Sequence, residues 1–165
     1  MARGMSRLET LYAEHARPAL RLAYLLTGDL HRAEDIVQDA FVRVAGRFRH
    51  LGSINDFQRY LNQMVLNLTR DQFRRLRVER RFLERERVDA APSNSHRYVV
   101  EDETVVMQAL AILSARQRTA IVLRYYEDFS EQQIADALDC SISAVKSLLL
   151  RGRQKLRQAL EVLGR

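Results

Sequence analysis

Three carboxylates lie close together in the segment HRAEDIVQDAF, residues 31–41: Glu34, Asp35 and Asp39. On a helix, residues three or four positions apart are neighbours, so this spacing would place them on one face together with Gln38. The helix dipole favours acids near a helix start by roughly 0.3–1 kcal/mol each, which accounts for the first two. Asp39 lies too far along the helix for that explanation. The patch therefore predicts a basic protein surface as its partner, and magnesium binding is the less favoured alternative.

A second polar face, rich in arginine, follows at helical spacing; its members are Gln63, Asn67, Arg70, Asp71 and Arg74. Residues 67–87 carry eight arginines and four acids, a net charge of +4. Arginine donors suit phosphates, and an asparagine can pair with a base edge, so this face predicts nucleic acid. Aromatic rings nearby could stack on unpaired bases, although Phe57 and Tyr60 are predicted to be core; the set is Phe48, Phe57, Tyr60 and Phe73.

The segment FSEQQIADALDCSISAVKSLLLRGRQKLR, residues 129–157, has the layout of a helix-turn-helix. Its first helix would pack through Ile134, Ala135 and Leu138, and its second through Val145, Leu149, Gly152 and Leu156. With Ser143 as its N-cap, the second helix would expose polar and basic side chains near its start, namely Ser143, Lys146, Ser147, Arg151 and Arg153. A helix of this kind fits the major groove of DNA.

The charge distribution supports that prediction. Residues 101–139 contain eight acids and three arginines, a net charge of −5, whereas residues 141–165 contain six bases and one acid, a net charge of +5. The whole chain has 27 Lys+Arg against 21 Asp+Glu, which favours a polyanionic partner. An ordinary helical hairpin with a solvated basic face is the alternative.

No cluster of residues predicts catalysis. The four histidines are scattered, with no HExxH spacing, and no glycine-rich phosphate loop is present. The single Cys140 excludes an intrachain disulfide and a cysteine-rich zinc site, and we interpret it as a small structural residue. We therefore predict no catalytic residue, no metal and no cofactor, and an enzyme acting on nucleic acid is disfavoured.

These side chains would be positioned by helices, since only 6 Gly and 2 Pro occur in 165 residues. Apolar periodicity predicts the fold class as all-α, with two small helical domains on a flexible linker, the second containing the helix-turn-helix. The predicted boundaries are 1–88, 89–100 for the linker and 101–165. The predicted helices span 7–27, 30–48, 57–87, 105–113, 115–126, 131–138 and 144–163. Four of them have a predicted N-cap: Asp29 for 30–48, Asn55 or Asp56 for 57–87, Ser130 for 131–138 and Ser143 for 144–163.

No apolar run reaches the ~18 residues of a membrane span, and the start of the chain lacks the apolar region of a signal peptide. The sequence therefore predicts a cytoplasmic protein without membrane insertion.

Three segments in this order, HRAEDIVQDAFVRV, YLNQMVLNLTRDQFRR and LSARQRTAIVLRYYEDFSEQQIADALDCSISAVKSLLLRGRQKLR, resemble bacterial sigma factors of the extracytoplasmic-function group. The resemblance covers about residues 7–160. It implies a factor that binds core RNA polymerase and directs it to promoters, with the −10 element handled by the first domain and the −35 element by the second. The implied partners are the β′ and β subunits of the polymerase, promoter DNA and an anti-sigma factor.

The resemblance also implies residue roles. Asp35, Gln38 and Asp39, with Glu34 beside them, match the motif that docks on a basic coiled coil of β′, and Phe41 would support it from the core. The implied −10 contacts are Asn67, Arg70, Asp71 and Arg74, together with Arg49, Ser53 and Asn55 in a loop over residues 49–55. This loop matches the segment that captures a flipped, unpaired base.

The implied −35 contacts are the five exposed residues of the last helix, Ser143, Lys146, Ser147, Arg151 and Arg153. Two residues depart from the family pattern: Ala144 stands where Thr is usual, and Leu148 where Arg or another polar residue is usual. Both departures remove expected DNA contacts. The alternative for Leu148 is contact with a protein partner. A stand-alone helix-turn-helix regulator is the alternative function, and such a protein would not need the acidic face.

Overall fold

Seven helices make up the described part of the chain in the computed structural model, which covers residues 2–48, 56–84 and 101–164. The chain divides into two compact units, Met1–Asn94 and Ser95–Arg165, and each is described by itself. The predicted loop 49–55 and the predicted linker 89–100 lie outside the described residues. The all-α fold class is confirmed.

Three helices form the first unit and pack against one another: α1 (Ala2–Thr27), α2 (Leu30–Phe48) and α3 (Phe57–Glu84). Gly28 adopts a positive φ of 70°, a conformation that glycine accepts without strain, and this ends α1. Asp29 caps α2 as predicted, because its Oδ1 accepts a hydrogen bond from the Arg32 backbone N–H at 3.2 Å. The helix starts and ends otherwise fall within a few residues of the predictions, except that α1 begins five residues earlier.

Aromatic rings lie at the centre of this unit. Phe57 at the start of α3 is completely buried, and its ring meets Phe41 of α2 edge-on with 5.7 Å between centroids. The His15 ring of α1 lies 5.1 Å from Phe57, and its Nδ1 is 2.7 Å from Oε1 of Gln58. The apolar stripe of α2 packs on these rings, and all of it except the half-buried Phe41 is buried: Ala33, Ile36, Val37, Ala40 and Val44.

The prediction that Tyr60 is core is wrong, because 43% of Tyr60 is exposed. Tyr12 of α1 is exposed as well. The buried stripe of α3 runs through Leu61, Val65 and Thr69, which leaves Tyr60 at its margin. The tyrosine hydroxyl favours such a margin because it keeps its hydrogen bonds to water.

Four helices form the second unit: α4 (Glu101–Ala111), α5 (Ala115–Tyr125), α6 (Glu131–Leu138) and α7 (Ile142–Leu163). Two capping boxes fix the starts of α5 and α6. In each, a serine oxygen accepts from the backbone of a glutamine three residues later, and that glutamine returns the bond; the pairs are Ser114 with Gln117 and Ser130 with Gln133. The cap predicted at Ser130 is thus confirmed.

The turn between α6 and α7 is closed by Asp139, which adopts the left-handed conformation at φ 53°. Aspartate tolerates this conformation better than most non-glycine residues. The Cys140 N–H then reaches back to the Ala135 carbonyl at 3.0 Å. With α6 ended so sharply, α7 begins at once. The prediction of Ser143 as its cap is therefore wrong: the N-cap is Ser141, whose Oγ accepts from the Ala144 N–H at 3.1 Å.

Close contact between α7 and α5 occurs at Gly152. A Cβ at this position would lie 2.9 Å from Cγ1 and 3.2 Å from Cδ1 of the buried Ile121. Real Cβ atoms do not approach neighbours so closely. The two helices can therefore lie this near to each other only because residue 152 has no side chain. Gly46 on α2 is the opposite case, since a Cβ there would meet nothing within 4 Å.

These two glycines form a matched test of the packing. Gly46→Ala should raise the free energy of unfolding by about 0.5–1 kcal/mol, because alanine is the better helix former and meets no neighbour. Gly152→Ala should lower it by about 1–3 kcal/mol, because the overpacking against Ile121 outweighs the same gain in propensity. Thermal unfolding of the full chain, followed by circular dichroism, measures both. A Gly152→Ala variant as stable as the wild type would contradict the close packing.

Candidate functional site

The acidic face of α2 consists of Glu34, Asp35, Gln38 and Asp39, and all four side chains are exposed. The buried stripe on the opposite side of the helix holds them outward. Arg43 extends this face and forms an ion pair with Asp39, with Nε 2.9 Å from Oδ1. His31 lies 4.0 Å from the Glu34 carboxylate. Because Asp39 is partly neutralised by Arg43, Asp35 carries the least compensated charge of this face.

Sequence reasoning missed Val42, which extends the same face by one turn. Val42 follows Asp35, Gln38 and Asp39 by seven, four and three residues, so it shares their side of the helix, and 69% of it is exposed. Apolar residues bordered by polar ones are a usual feature of protein interfaces. The sequence indicates this exposure, because Val42 is an apolar residue that lies outside the spacing of the buried stripe.

The polar face of α3 is also exposed in its main part. Asn67 is half-buried, and its Oδ1 accepts a hydrogen bond from Gln63 Nε2 at 3.1 Å, which orients the amide. Asp71 and Arg74 are exposed, and Arg70 is half-buried. The structure therefore brings Asn67, Arg70, Asp71 and Arg74 onto one side of one helix. The other three predicted −10 residues, Arg49, Ser53 and Asn55, lie outside the described residues.

Tyr60 adds an aromatic ring at the margin of this face, seven residues before Asn67. The guanidinium carbon of Arg59 lies 5.4 Å from the centre of the ring, within the range of a cation–π contact. An exposed aromatic ring beside an asparagine and arginines is the combination that binds unpaired bases by stacking.

All five predicted residues of α7 are exposed: Ser143, Lys146, Ser147, Arg151 and Arg153. They do not form one row. Arg153 lies toward α5, where its Nη1 donates a hydrogen bond to the Tyr125 hydroxyl at 3.2 Å, and Arg151 lies on the other flank of the helix. The tie to Tyr125 limits the orientations open to the Arg153 guanidinium.

The outermost row of α7 includes two residues that sequence reasoning missed, Leu150 and Gln154. They continue the row of Ser143 and Ser147 at alternating intervals of four and three residues, and both are exposed. By contrast, Leu148 and Ala144 are half-buried and lie off this row. The two departures from the family pattern are therefore beside the exposed row and not at its centre. Cys140 is half-buried in the turn, with a free thiol.

Within the part of the chain that the structure describes, no group of three or more His, Cys, Asp or Glu side chains could hold a metal ion. Among the same residues, no helix combines the length and the apolar character needed to cross a membrane. The candidate functional residues lie on exposed faces of α2 and α3 in the first unit and of α7 in the second.

Comparisons with known proteins fit this division into two units. The family model Sigma-70 region 2 matches residues 11–79, which include the α2 and α3 faces. The family model Sigma-70, region 4 matches residues 104–156, which include the helix-turn-helix.

Curated relatives match over nearly the whole chain. The chain is 33% identical to the ECF RNA polymerase sigma factor SigE of Mycolicibacterium smegmatis over 94% of its length, and spans 62% of that relative. It is 34% identical to SigL of Mycobacterium tuberculosis, covering 95% of this chain and 90% of the relative. Among solved structures, the sigma factor RpoE of Bartonella quintana, in complex with the anti-sigma factor NepR, has the same fold, with a TM-score of 0.63, 24% identity, and coverage of 98% and 99% of the two chains.

The position of the α7 cap can be tested separately. Ser141→Ala should destabilise α7 by about 1 kcal/mol, because it removes the acceptor for the Ala144 N–H. Ser143→Ala should change the stability of the helix by less than about 0.5 kcal/mol, as surface substitutions usually do. Amide hydrogen exchange over the first two turns of α7 measures both. A larger loss for Ser143→Ala than for Ser141→Ala would reinstate the cap predicted from the sequence.

Proposed function

Because the chain belongs to the extracytoplasmic-function group of the sigma-70 family, we propose that α2 docks on core RNA polymerase and that α3 and α7 contact promoter DNA. The chain is an alternative sigma factor that directs promoter-specific transcription initiation. Sigma factors are transcription initiation factors, and we propose that this one has no enzymatic activity of its own and acts in the cytoplasm.

The observation that carries the proposal is the acidic face of α2 in a chain with a net charge of +6. Carboxylates repel DNA phosphates, so this face does not serve nucleic acid. A stand-alone regulator would have no use for it. A basic helix of the polymerase β′ subunit would complement it in charge, and Val42 would add an apolar contact beside the carboxylates.

The DNA roles follow from the other two faces. Asn67, held by Gln63, offers its amide to a base edge, and Arg74 with Asp71 lies one to two turns further along α3. We propose that this face and Tyr60 contact the −10 element, where strand separation exposes bases for stacking. Arg49, Ser53 and Asn55 are proposed to complete the site. In the second unit, α7 is proposed to lie in the major groove of the −35 element.

An anti-sigma factor is the remaining proposed partner. The Bartonella quintana sigma factor RpoE, which has the same fold, was solved in complex with the anti-sigma factor NepR. We propose that a protein of this class also binds the present chain. Such a partner would compete for the same exposed faces that polymerase and DNA use.

Charge reversal tests the dock. Asp35→Arg combined with Asp39→Arg should weaken binding of core RNA polymerase by at least about tenfold, because like charges would face each other across the interface. The control is Glu9→Arg with Glu14→Arg, which changes the net charge equally at two exposed positions of α1. Equilibrium binding of labelled chain to purified core polymerase measures the effect, with circular dichroism to verify folding.

If both double variants bind core polymerase like the wild type, the acidic face is not the surface that binds polymerase. If the wild type does not bind polymerase at all but binds duplex DNA tightly by itself, the stand-alone regulator is correct.

Tyr60 tests the −10 face. Tyr60→Ala should weaken binding of the holoenzyme to a single-stranded −10 oligonucleotide by roughly 5- to 150-fold, since stacking on one base contributes about 1–3 kcal/mol. Tyr60→Phe keeps the ring and should bind like the wild type. Binding of a −35 duplex serves as the internal control and should not change. An alanine variant that binds the single strand normally would remove Tyr60 from the DNA interface.

A further inference from the structure

The outermost row of α7 contains one apolar residue among polar ones. Ser143, Ser147 and Gln154 flank Leu150 along the row, and 52% of Leu150 is exposed. The packing of the unit does not need this side chain in that orientation, because the buried stripe on the other side of the helix already holds α7 in place; that stripe is Val145, Leu149, Gly152 and Ala159.

Basic residues lie on both sides of this row. One flank carries Lys146, Arg153 and Arg157, spaced by seven and four residues, and the other carries Arg151 and Lys155. All five are exposed. The major groove, about 12 Å wide, has a phosphate backbone along each wall and base edges on its floor. Two basic flanks with an uncharged row between them match that cross-section, with the flanks on the phosphates and the row on the bases.

Leu150 would then lie on the groove floor, where nearly every group is a hydrogen-bond donor or acceptor. A leucine placed against a donor or acceptor would leave that group without water or partner, which is unfavourable. The 5-methyl group of thymine is the apolar group that the base pairs present there. Contact between the two removes apolar surface from water on both sides.

We propose that Leu150 is a specificity-determining residue that contacts the 5-methyl group of a thymine in the promoter element bound by α7. This inference rests on the proposed function, because it requires α7 to lie in the major groove of the −35 element. Its ligand is one methyl group at one base pair. Gln154 and Ser147, the neighbours in the row, remain available for hydrogen bonds to the adjacent base edges.

The test begins with holoenzyme reconstituted from the full chain and core polymerase. A promoter is selected from a library with a randomised −35 region. Each thymine of the selected element, on either strand, is then replaced singly by uracil, which removes only the methyl group. Equilibrium binding of the holoenzyme to each duplex is measured for the wild type, Leu150→Ala and Leu160→Ala. Leu160 is the matched control, because it lies on the same helix, is 47% exposed and is off the row.

For the wild type, we expect uracil at one thymine to weaken binding about fourfold, the ratio that corresponds to burying one methyl group. Leu150→Ala should lose this difference between thymine and uracil, whereas Leu160→Ala should keep it. Repeating the selection with Leu150→Gln should change the preferred base at that position, because a glutamine amide pairs with adenine.

Three results would overturn the inference while leaving the proposed function intact: a selected element in which no uracil substitution affects the wild type, a Leu150→Ala variant as sensitive as the wild type, or loss of sensitivity in the Leu160→Ala control. If the holoenzyme selects no sequence at all in the −35 region, the proposed role of α7 fails, and the inference fails with it.

Discussion

The helices α2, α3 and α7 each bury one stripe, and that constraint determines where the partners can bind. A unit of three or four helices has a small core, so a large part of the surface of these three helices stays in contact with water. The packing of the helices therefore determines which side chains are exposed as well as which are buried. On α2, the stripe that packs around Phe41 and Phe57 leaves the carboxylates outward. On α7, the close contact at Gly152 fixes the rotation of the helix, and hence which row is outermost.

Much of this arrangement could be predicted from sequence because it depends on local chemistry. The stripe of α2 follows from its spacing, and the caps Asp29 and Ser130 follow from side-chain acceptors placed before the apolar runs. The error at the start of α7 has a specific cause. Both Ser141 and Ser143 are good caps in isolation. The choice depends on Asp139 taking a left-handed conformation, in which its N–H and that of Cys140 bond back to α6, and spacing does not reveal this.

The candidate site was less predictable for a related reason. Charged residues on a helix are expected to face outward, so the acidic patch could be identified directly. An apolar residue is expected to face inward, yet Val42, Tyr60 and Leu150 are exposed because they lie outside the stripes that pack into the core. For Tyr60, periodicity alone wrongly predicted burial, because the residue lies one turn from two other apolar residues, Phe57 and Met64. Which side of a broad stripe is buried is determined by the helices that pack on it.

Exposed apolar residues on otherwise polar faces also explain how such small surfaces achieve specificity. Lysine and arginine contacts to phosphate give affinity that is independent of sequence and falls with salt. Carboxylates on a rim affect mainly the rate of encounter. An apolar side chain, in contrast, is favourable only against an apolar partner and unfavourable against a polar one, so it discriminates between partners of equal charge. Because the two units are joined in one chain, each needs only modest affinity once the other is bound, and discrimination by a few side chains then suffices.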